Sequence, residues 1–343
     1  MPPARRSPPK LTVAVTGPTG ELGRSLVRAL ESTPGVGKVI GMARRPFDPA
    51  ARGWKKTVYR QGDVLDRSAV EALVDGADVV VHLAFLIMGG PEETREINLR
   101  GSRNVFEGSI AAGAKRLVYA SSVAAYGFHS DNPSVLTEEV PARGSEEFYY
   151  SAHKAELEGV LDELLDDSST DAYVFRPCIV AGPDARMLVR SLPYVRLSEA
   201  LPAAVRSLFD VVPVLKPVLP DPGVPFQLVH HDDVATALRA GVLGRGRPGV
   251  YNLAAPDELT VSDLAQALGW YSVPVPELAL DATAEVVVRL PFLPPEAAWI
   301  SAFRQPVIMD TGKARRELRW RPRHDAHETL REMVEAHRED LEG

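Results

Sequence analysis

The sequence predicts an α/β protein: a doubly wound parallel sheet followed by a smaller mixed C-terminal lobe. Two patterns carry the prediction. Short, nearly continuous apolar runs alternate through the first half with segments whose apolar residues recur at helical spacing. A parallel sheet covered by helices on both faces produces that alternation, and right-handed crossovers wind it in two directions. A glycine-rich turn joins the first run to the first helical segment, at the place where such sheets bind ligands.

Leu11 to Thr16 (LTVAVT) reads as the first strand, ending at Gly17. Leu22, Leu26, Ala29 and Leu30 share one face of a helix that Pro34-Gly35 stops. Val39 to Met42 is a second strand, Ser68 to Val74 a short helix and Val79 to Leu83 a further strand. One helix is expected from about Glu92 to Ala112, leading into the strand Arg116 to Ala120. Another is expected from about Phe148 to Leu165, before the strand Ala172 to Arg176. Prolines crowd the apolar stretch from Pro193 to Pro225 and predict a loop-rich lobe, because proline removes a backbone donor and ends helices. Thr260 with Asp263, and Asp325 with Glu328, have capping-box spacing, and a last helix is expected from about 325 to 340. The division expected is a disordered tail over 1–10, a dinucleotide-binding domain over 11–177 plus about 229–255, and a substrate lobe over about 178–228 and 256–343.

The chain has 343 residues with 39 basic and 46 acidic side chains, a formal charge of −7. Mild acidity argues against a nucleic-acid partner, which calls for a basic patch. The one cysteine, Cys178, allows neither an internal disulfide nor a Cys-rich zinc site. No apolar run reaches the roughly 18 residues of a membrane span. Met1 to Lys10 is rich in Pro and Arg and lacks a signal-peptide core. A cytoplasmic protein acting on a small molecule, with no membrane or nucleic-acid partner, is the expectation.

The turn Thr16-Gly17-Pro18-Thr19-Gly20-Glu21-Leu22-Gly23 has the spacing G-x-x-G-x-x-G between strand and helix. A diphosphate needs backbone N–H groups at a helix N-terminus and no Cβ in its way. Gly17, Thr19, Gly20, Glu21, Leu22 and Gly23 are therefore candidate cofactor contacts; tight packing of the turn is the alternative. After the second strand comes Gly41-Met42-Ala43-Arg44-Arg45-Pro46, with no carboxylate to hold a ribose 2′-hydroxyl. Arg44 and Arg45 suit a 2′-phosphate, favouring NADP over NAD. Asp63 is a candidate acceptor for the adenine amino group, or only a turn residue.

Tyr150 and Lys154 stand four apart on an expected helix and share a face. An ammonium beside a phenol favours the phenolate, so Tyr150 becomes a candidate acid/base with a lowered pKa. Ser122, just past a strand, is placed to bond the same substrate oxygen.

Taken in order, these pieces resemble an extended short-chain dehydrogenase/reductase of the NAD-dependent epimerase/dehydratase type, a Rossmann fold. The matching residues are Thr16-Gly17-x-x-Gly20-x-x-Gly23, Gly62-Asp63-Val64, His82-Leu83-Ala84, Asn98 with Gly101, Ser121-Ser122-x-x-x-Tyr126-Gly127 and Tyr150-x-x-x-Lys154. Arg176-Pro177 with Gly182-Pro183, His230-His231-Asp232-Asp233-Val234-Ala235 and the stretch Met309-Asp310 to Pro322 continue the match. The resemblance implies that Ser122, Tyr150 and Lys154 form the catalytic triad, and that Lys154 also binds the nicotinamide ribose. It adds Val64, Leu83, Ala84 and Pro177, with Tyr150 and Lys154, to the cofactor contacts. It places Tyr126 beside the substrate with Ser122 and Tyr150, a strand-to-loop turn at Tyr126-Gly127 being the alternative; Phe85 is a further substrate candidate from the apolar loop after Ala84. It also implies a homodimer through helices at about 92–112 and 148–165, for which exposed apolar residues would be the reason.

Other residues read as structural. His82 is expected as a satisfied core histidine, His153 as exposed, Cys178 as inert core, and Asp232 or Asp233 as a helix N-cap. Ile179 stands where many sugar-nucleotide members carry Asn, which argues against such a substrate. Phe85-Leu86-Ile87-Met88 suggests an apolar one if it faces the nicotinamide; packing of the lobe onto the main domain is the alternative. Arg186, Arg190 and Arg196 still offer a diphosphate site. Three readings stay open: a hydride-transferring oxidoreductase on a carbonyl or secondary alcohol, a nucleotide-sugar epimerase/dehydratase, and a non-catalytic NAD(P)-binding regulator.

Overall fold

The computed structural model describes residues 9–87, 89–190, 195, 216–275 and 305–342. The expected tail up to residue 8, Met88, Arg196 and most of the proline-rich stretch lie outside them.

The chain opens with β1 (Leu11–Thr16), α1 (Glu21–Glu31), β2 (Val36–Ala43), β3 (Thr57–Gln61), α2 (Arg67–Val74) and β4 (Val79–His82). Asp66 caps α2 by accepting from the Ser68 and Ala69 N–H groups. Next come α3 (Pro91–Arg95), a π-helical turn over Glu96–Gly101, and α4 (Ser102–Ala111). The single helix expected here is thus interrupted. The wide turn turns Asn98 towards the loop after β4, where its amide clasps both polar groups of the Leu86 backbone at 2.8 and 2.9 Å.

The second half adds β5 (Arg116–Ala120), α5 (Tyr149–Leu165), β6 (Asp171–Pro177), β7 (Ile179–Ala181) and α6 (Met187–Arg190). It continues with β8 (Val218–Asp221), β9 (Phe226–His230), α7 (His231–Val242), β10 (Gly249–Leu253), β11 (Glu258–Leu259), α8 (Val261–Leu268), β12 (Tyr271–Pro274) and α9 (Ala326–Glu342). β8 lies within the stretch read as loop. Thr260 and Asp263 form the expected capping box, and Asp325 Oδ1 accepts from the Glu328 N–H at 2.6 Å. At α7 the cap differs from expectation. His230 Nδ1 accepts from the Asp232 N–H at 3.1 Å, while buried Asp233 instead receives the backbone and ring N–H groups of His324.

Seven strands form one wholly parallel sheet in the order β10-β6-β5-β4-β1-β2-β3. Because strand side chains alternate, Val13 and Val15 join a core with Leu26, Leu30 and Leu238 of α1 and α7. Ala14 and Val80 face the opposite layer, with Phe106 of α4 and Leu157 and Leu161 of α5. The strand order reverses between β1 and β4, so the chain leaves these neighbours in opposite directions and opens a crevice at their C-terminal ends. A three-stranded sheet, β11-β9-β7, packs with α8 and α9 around a third core, and β12 pairs with β8.

Under the crevice lies a buried ion pair. Glu158 of α5 accepts from Arg176 of β6 and from the Ser121 hydroxyl, and the Arg176 guanidinium sits 4.3 Å from the Tyr126 ring centroid. Arg176→Met would leave the Glu158 carboxylate buried and unpaired. Loss of about 3–5 kcal/mol of stability is expected, read as a lower denaturant midpoint.

Among the described residues the large exposed hydrophobics are Val58, Val135, Val218, Tyr271 and Val273, none of them on α3, α4 or α5. The groove between those helices instead carries Arg95, Glu96, Arg100, Arg103 and Glu156 around Leu99 and Val160. The apolar face expected to drive dimerisation there is therefore not what the structure presents.

Candidate active site

The glycine turn closes β1 onto α1 with almost no free space. Gly17 has φ +71°, and a Cβ there would lie 3.0 Å from the Ala84 nitrogen. A Cβ on Gly23 would lie 2.1 Å from the Gly17 carbonyl oxygen. No side chain caps the start of α1, so its first N–H groups and positive dipole end face the crevice. A Cβ-free cradle at an uncapped helix start fits a dinucleotide diphosphate. Thr19 and Leu22 are half-buried beside it, and the Thr19 carbonyl accepts from Arg24 at 3.0 Å. Glu21, also half-buried, has its carboxyl pushed up by burial, against the opposing pull of Arg186, Arg24 and Arg190.

The neighbouring strand ends complete this wall. Thr16 Oγ1 accepts from the Leu83 and Ala84 N–H groups at 3.1 and 3.2 Å and meets His82 Nδ1 at 2.8 Å. His82 Nε2 meets the Ser102 hydroxyl at 2.8 Å, and burial drives its pKa down to about 3. It is a neutral, satisfied core residue. Arg44 and Arg45 are exposed just after β2. Asp63 Oδ1 accepts from the Leu65 N–H at 3.0 Å, the bond of a turn-forming aspartate. Val64 is buried against Gly101, and Pro177 ends β6 beside Leu253.

Ser122, Tyr150 and Lys154 come together. Ser122 follows β5 and caps a short 3₁₀ turn, its Oγ accepting from the Ala124 N–H at 3.1 Å. Its hydroxyl also acts on the Tyr150 phenol, favouring the ionised form. Lys154 is 3% exposed. It donates to the Ala120 carbonyl at 2.7 Å and to the Tyr119 hydroxyl at 3.3 Å.

The electrostatics differ from the sequence reading. Burial raises the Tyr150 pKa, and the Ser122 hydroxyl is what opposes it. Lys154 Nζ points at Ala120, 5.8 Å from the Tyr150 ring centroid, and burial has pushed its own pKa down to about 7. The ammonium therefore does not lower the phenol in the way that helical spacing suggests.

Aromatic side chains line the approach to Tyr150. The Phe85 ring meets it edge-on at 5.5 Å, and Phe148 lies 5.8 Å away, backed by Phe128 at 6.0 Å. Tyr149 bonds the Ile87 carbonyl at 2.6 Å and, with Asn98, holds the loop after β4 in place. The sequence reading named Phe85 but missed Phe128, Phe148 and the clasping role of Asn98. The run Phe148-Tyr149-Tyr150 was the available signal.

Two expectations, for Tyr126 and His153, are corrected. Tyr126 is fully buried and its hydroxyl donates to Asn252 Oδ1 at 2.8 Å and the Thr137 carbonyl at 3.0 Å, so it braces the core instead of lining a substrate cleft. His153 is buried, its ring packed on Tyr149 and 3.5 Å from the Asn98 amide. Arg186 donates to the Ala336 carbonyl at 2.7 Å, which ties that guanidinium to α9. Cys178 is buried with its thiol pKa raised, as an inert core residue would be.

The chain is similar to several known proteins. The protein y4nG of Sinorhizobium fredii, itself uncharacterised, is 28% identical over 327 residues, covering 91% of this chain and 75% of that protein. Human 3 beta-hydroxysteroid dehydrogenase type 7 is 35% identical over 131 residues, 34% of either chain. An uncharacterised mycobacterial relative is matched over only 24% of its own length. The structure of DesIV, a dTDP-glucose 4,6-dehydratase from Streptomyces venezuelae with NAD and TYD bound, superposes with a TM-score of 0.71 at 22% identity. It covers 97% of this chain and 98% of that one, a likeness of fold. No helix among the described residues is long and apolar enough to cross a membrane. The profile of the NAD dependent epimerase/dehydratase family matches residues 13–254, and with the glycine cradle and the Ser122, Tyr150 and Lys154 arrangement in place, the chain belongs to that family.

Proposed function

We propose that this protein is an NAD(P)-dependent oxidoreductase that moves one hydride between nicotinamide and a carbonyl or secondary alcohol of a small apolar substrate. The observation that carries the reading is the buried Tyr150 phenol, with Ser122 opposing the rise of its pKa, walled by Phe85 and Phe148. The dinucleotide, when bound, supplies or accepts the hydride. Gly17, Gly20 and Gly23 with the start of α1 would hold its diphosphate, and Lys154 its nicotinamide ribose. Tyr150, kept protonated by burial, gives its phenolic proton to the oxygen of a carbonyl undergoing reduction. Ser122 bonds the same oxygen and steadies the phenolate left behind. The aromatic walls exclude water, which strengthens each of these bonds. In this reading residues 11–177 with 229–255 bind the dinucleotide, and 178–228 with 256–343 build the substrate lobe. A homodimer in this reading pairs through the charged groove around Leu99 and Val160, not through a broad apolar face.

Arg44 and Arg45, exposed with no carboxylate beside them in sequence, support NADP as the preferred cofactor. The likeness to DesIV favours a nucleotide-sugar reading in fold only, and the engagement of Arg186 with α9 weakens it. The test is the consumption of NADPH and NADH against apolar ketones and aldehydes and against nucleotide sugars. Net NADPH oxidation with an apolar carbonyl is expected, and Arg44→Ala with Arg45→Ala should lower the NADPH preference about tenfold, the loss of about 1.4 kcal/mol. Turnover of a nucleotide sugar with no net change in NAD(P)H would replace the oxidoreductase by an epimerase or dehydratase.

A further inference from the structure

Lys154 is a buried cation, and among the described residues it forms no ion pair with a carboxylate. Its neighbours are one carbonyl, one hydroxyl and two aromatic faces. Nζ lies 3.7 Å from the Phe85 ring centroid and 4.9 Å from that of Tyr119. A cation over an aromatic face is drawn to the ring quadrupole, most strongly where water is excluded. The loop that carries Phe85 is pinned on both sides of it: Thr16 Oγ1 accepts from the Ala84 N–H, while Asn98 clasps both backbone polar groups of Leu86 and Tyr149 bonds the Ile87 carbonyl. A phenylalanine fixed in this way does for the ammonium what a carboxylate does elsewhere, without bringing a negative charge beside Tyr150.

We propose that Phe85 is a positioning residue for Lys154: its ring face holds the ammonium in its charged form in the buried site and so sets the upper pH limit of activity. The inference rests on the oxidoreductase reading only for its link to activity. The other charged or titratable groups around Nζ are Glu158 on α5, which favours the ammonium, and His82 on β4, Tyr119 on β5 and Tyr150 on α5. Glu158 is shared with Arg176, which dilutes its pull. His82 is neutral. The Phe85 face is thus the closest favourable partner of Nζ after the Ala120 and Tyr119 oxygens.

With only eight lysines, protein labelled with ¹⁵N-lysine permits a direct titration of Nζ by NMR, the Lys154 signal being assigned by its loss in Lys154→Arg. Wild type is expected to titrate near pH 7, where burial places Lys154. Phe85→Leu keeps apolar bulk but removes the ring, and should move that titration down by about one pH unit. Phe85→Tyr and Phe85→Trp keep an aromatic face and should stay near wild type. The alkaline limb of the kcat/KM profile should move with the titration in each variant. An unshifted Lys154 in Phe85→Leu, or an equal shift in all three variants, overturns the proposal. A shift in Phe85→Leu alone, in a protein that turns over no carbonyl substrate, overturns the oxidoreductase reading and leaves this one standing.

Discussion

Tyr150→Phe is expected to lower kcat for carbonyl reduction by about 10²–10⁴-fold, with dinucleotide affinity and fold unchanged. The substitution removes one oxygen and keeps the ring that packs between Phe85 and Phe148. What disappears is the proton donor on which Ser122 acts. Burial holds the phenol pKa above its ordinary value, so Tyr150 stays protonated through neutral pH and the reductive direction begins with the acid in place. Lys154, titrating near pH 7, loses its charge as pH rises, so activity should fall on the alkaline side well before the phenol itself ionises. Steady-state rates across pH, with binding measured separately by quenching of NADPH fluorescence, provide the check. Activity within a factor of ten of wild type, on the order of 1.4 kcal/mol, would remove Tyr150 as acid/base; no carbonyl reduction by wild type, with a cellular phenotype that survives Tyr150→Phe, would favour the non-catalytic regulator.

Gly23→Ala is expected to weaken dinucleotide binding about a hundredfold, since forcing atoms into a packed site costs about 1–3 kcal/mol and each tenfold is about 1.4. The new methyl would stand 2.1 Å from the Gly17 carbonyl oxygen and 2.9 Å from backbone atoms of Pro18. All of these are main-chain atoms of the cradle itself, so relief means moving the turn away from α1. Gly159→Ala on α5 makes the same chemical change where a Cβ meets nothing within 4 Å, and should leave binding unchanged. Isothermal titration of both variants with NADPH and NADH separates these outcomes. Equal affinity in Gly23→Ala and wild type would mean that the diphosphate lies elsewhere.

Local pattern made much of this site legible. The apolar run Leu11 to Thr16, the glycine spacing and the helical repeat after it lie within one continuous segment, so the strand, turn and helix could be read together. Tyr150 and Lys154 share a helix, and helical geometry alone puts them on one side. Ser122 was found because strand ends carry ligand groups in parallel sheets.

The failures share a cause, which is that neighbours distant in sequence choose where a side chain ends. His153 lies off the Tyr150 face, and a helix with one buried face would expose it. α5 instead packs on more than one side, and Tyr149 and Asn98 cover the imidazole. Asp232 and Asp233 have capping chemistry, yet the cap of α7 is His230, because Asp233 is drawn inward by His324, 91 positions along the chain. Tyr126 sits two residues from an active-site Ala124 contact, but Asn252 on β10 pulls its hydroxyl into the core.

Sequence by itself therefore determined the parallel sheet, the cradle and the identity of the three candidate catalytic groups, since each depends on spacing within one or two adjacent elements. The charge states within the site were decided by tertiary structure alone. Burial raises the Tyr150 phenol, a carbonyl at the end of β5 turns Lys154 away from it, and a phenylalanine from the loop after β4 faces the ammonium. Desolvation and orientation depend on every surrounding element at once, and no local stretch of residues encodes them.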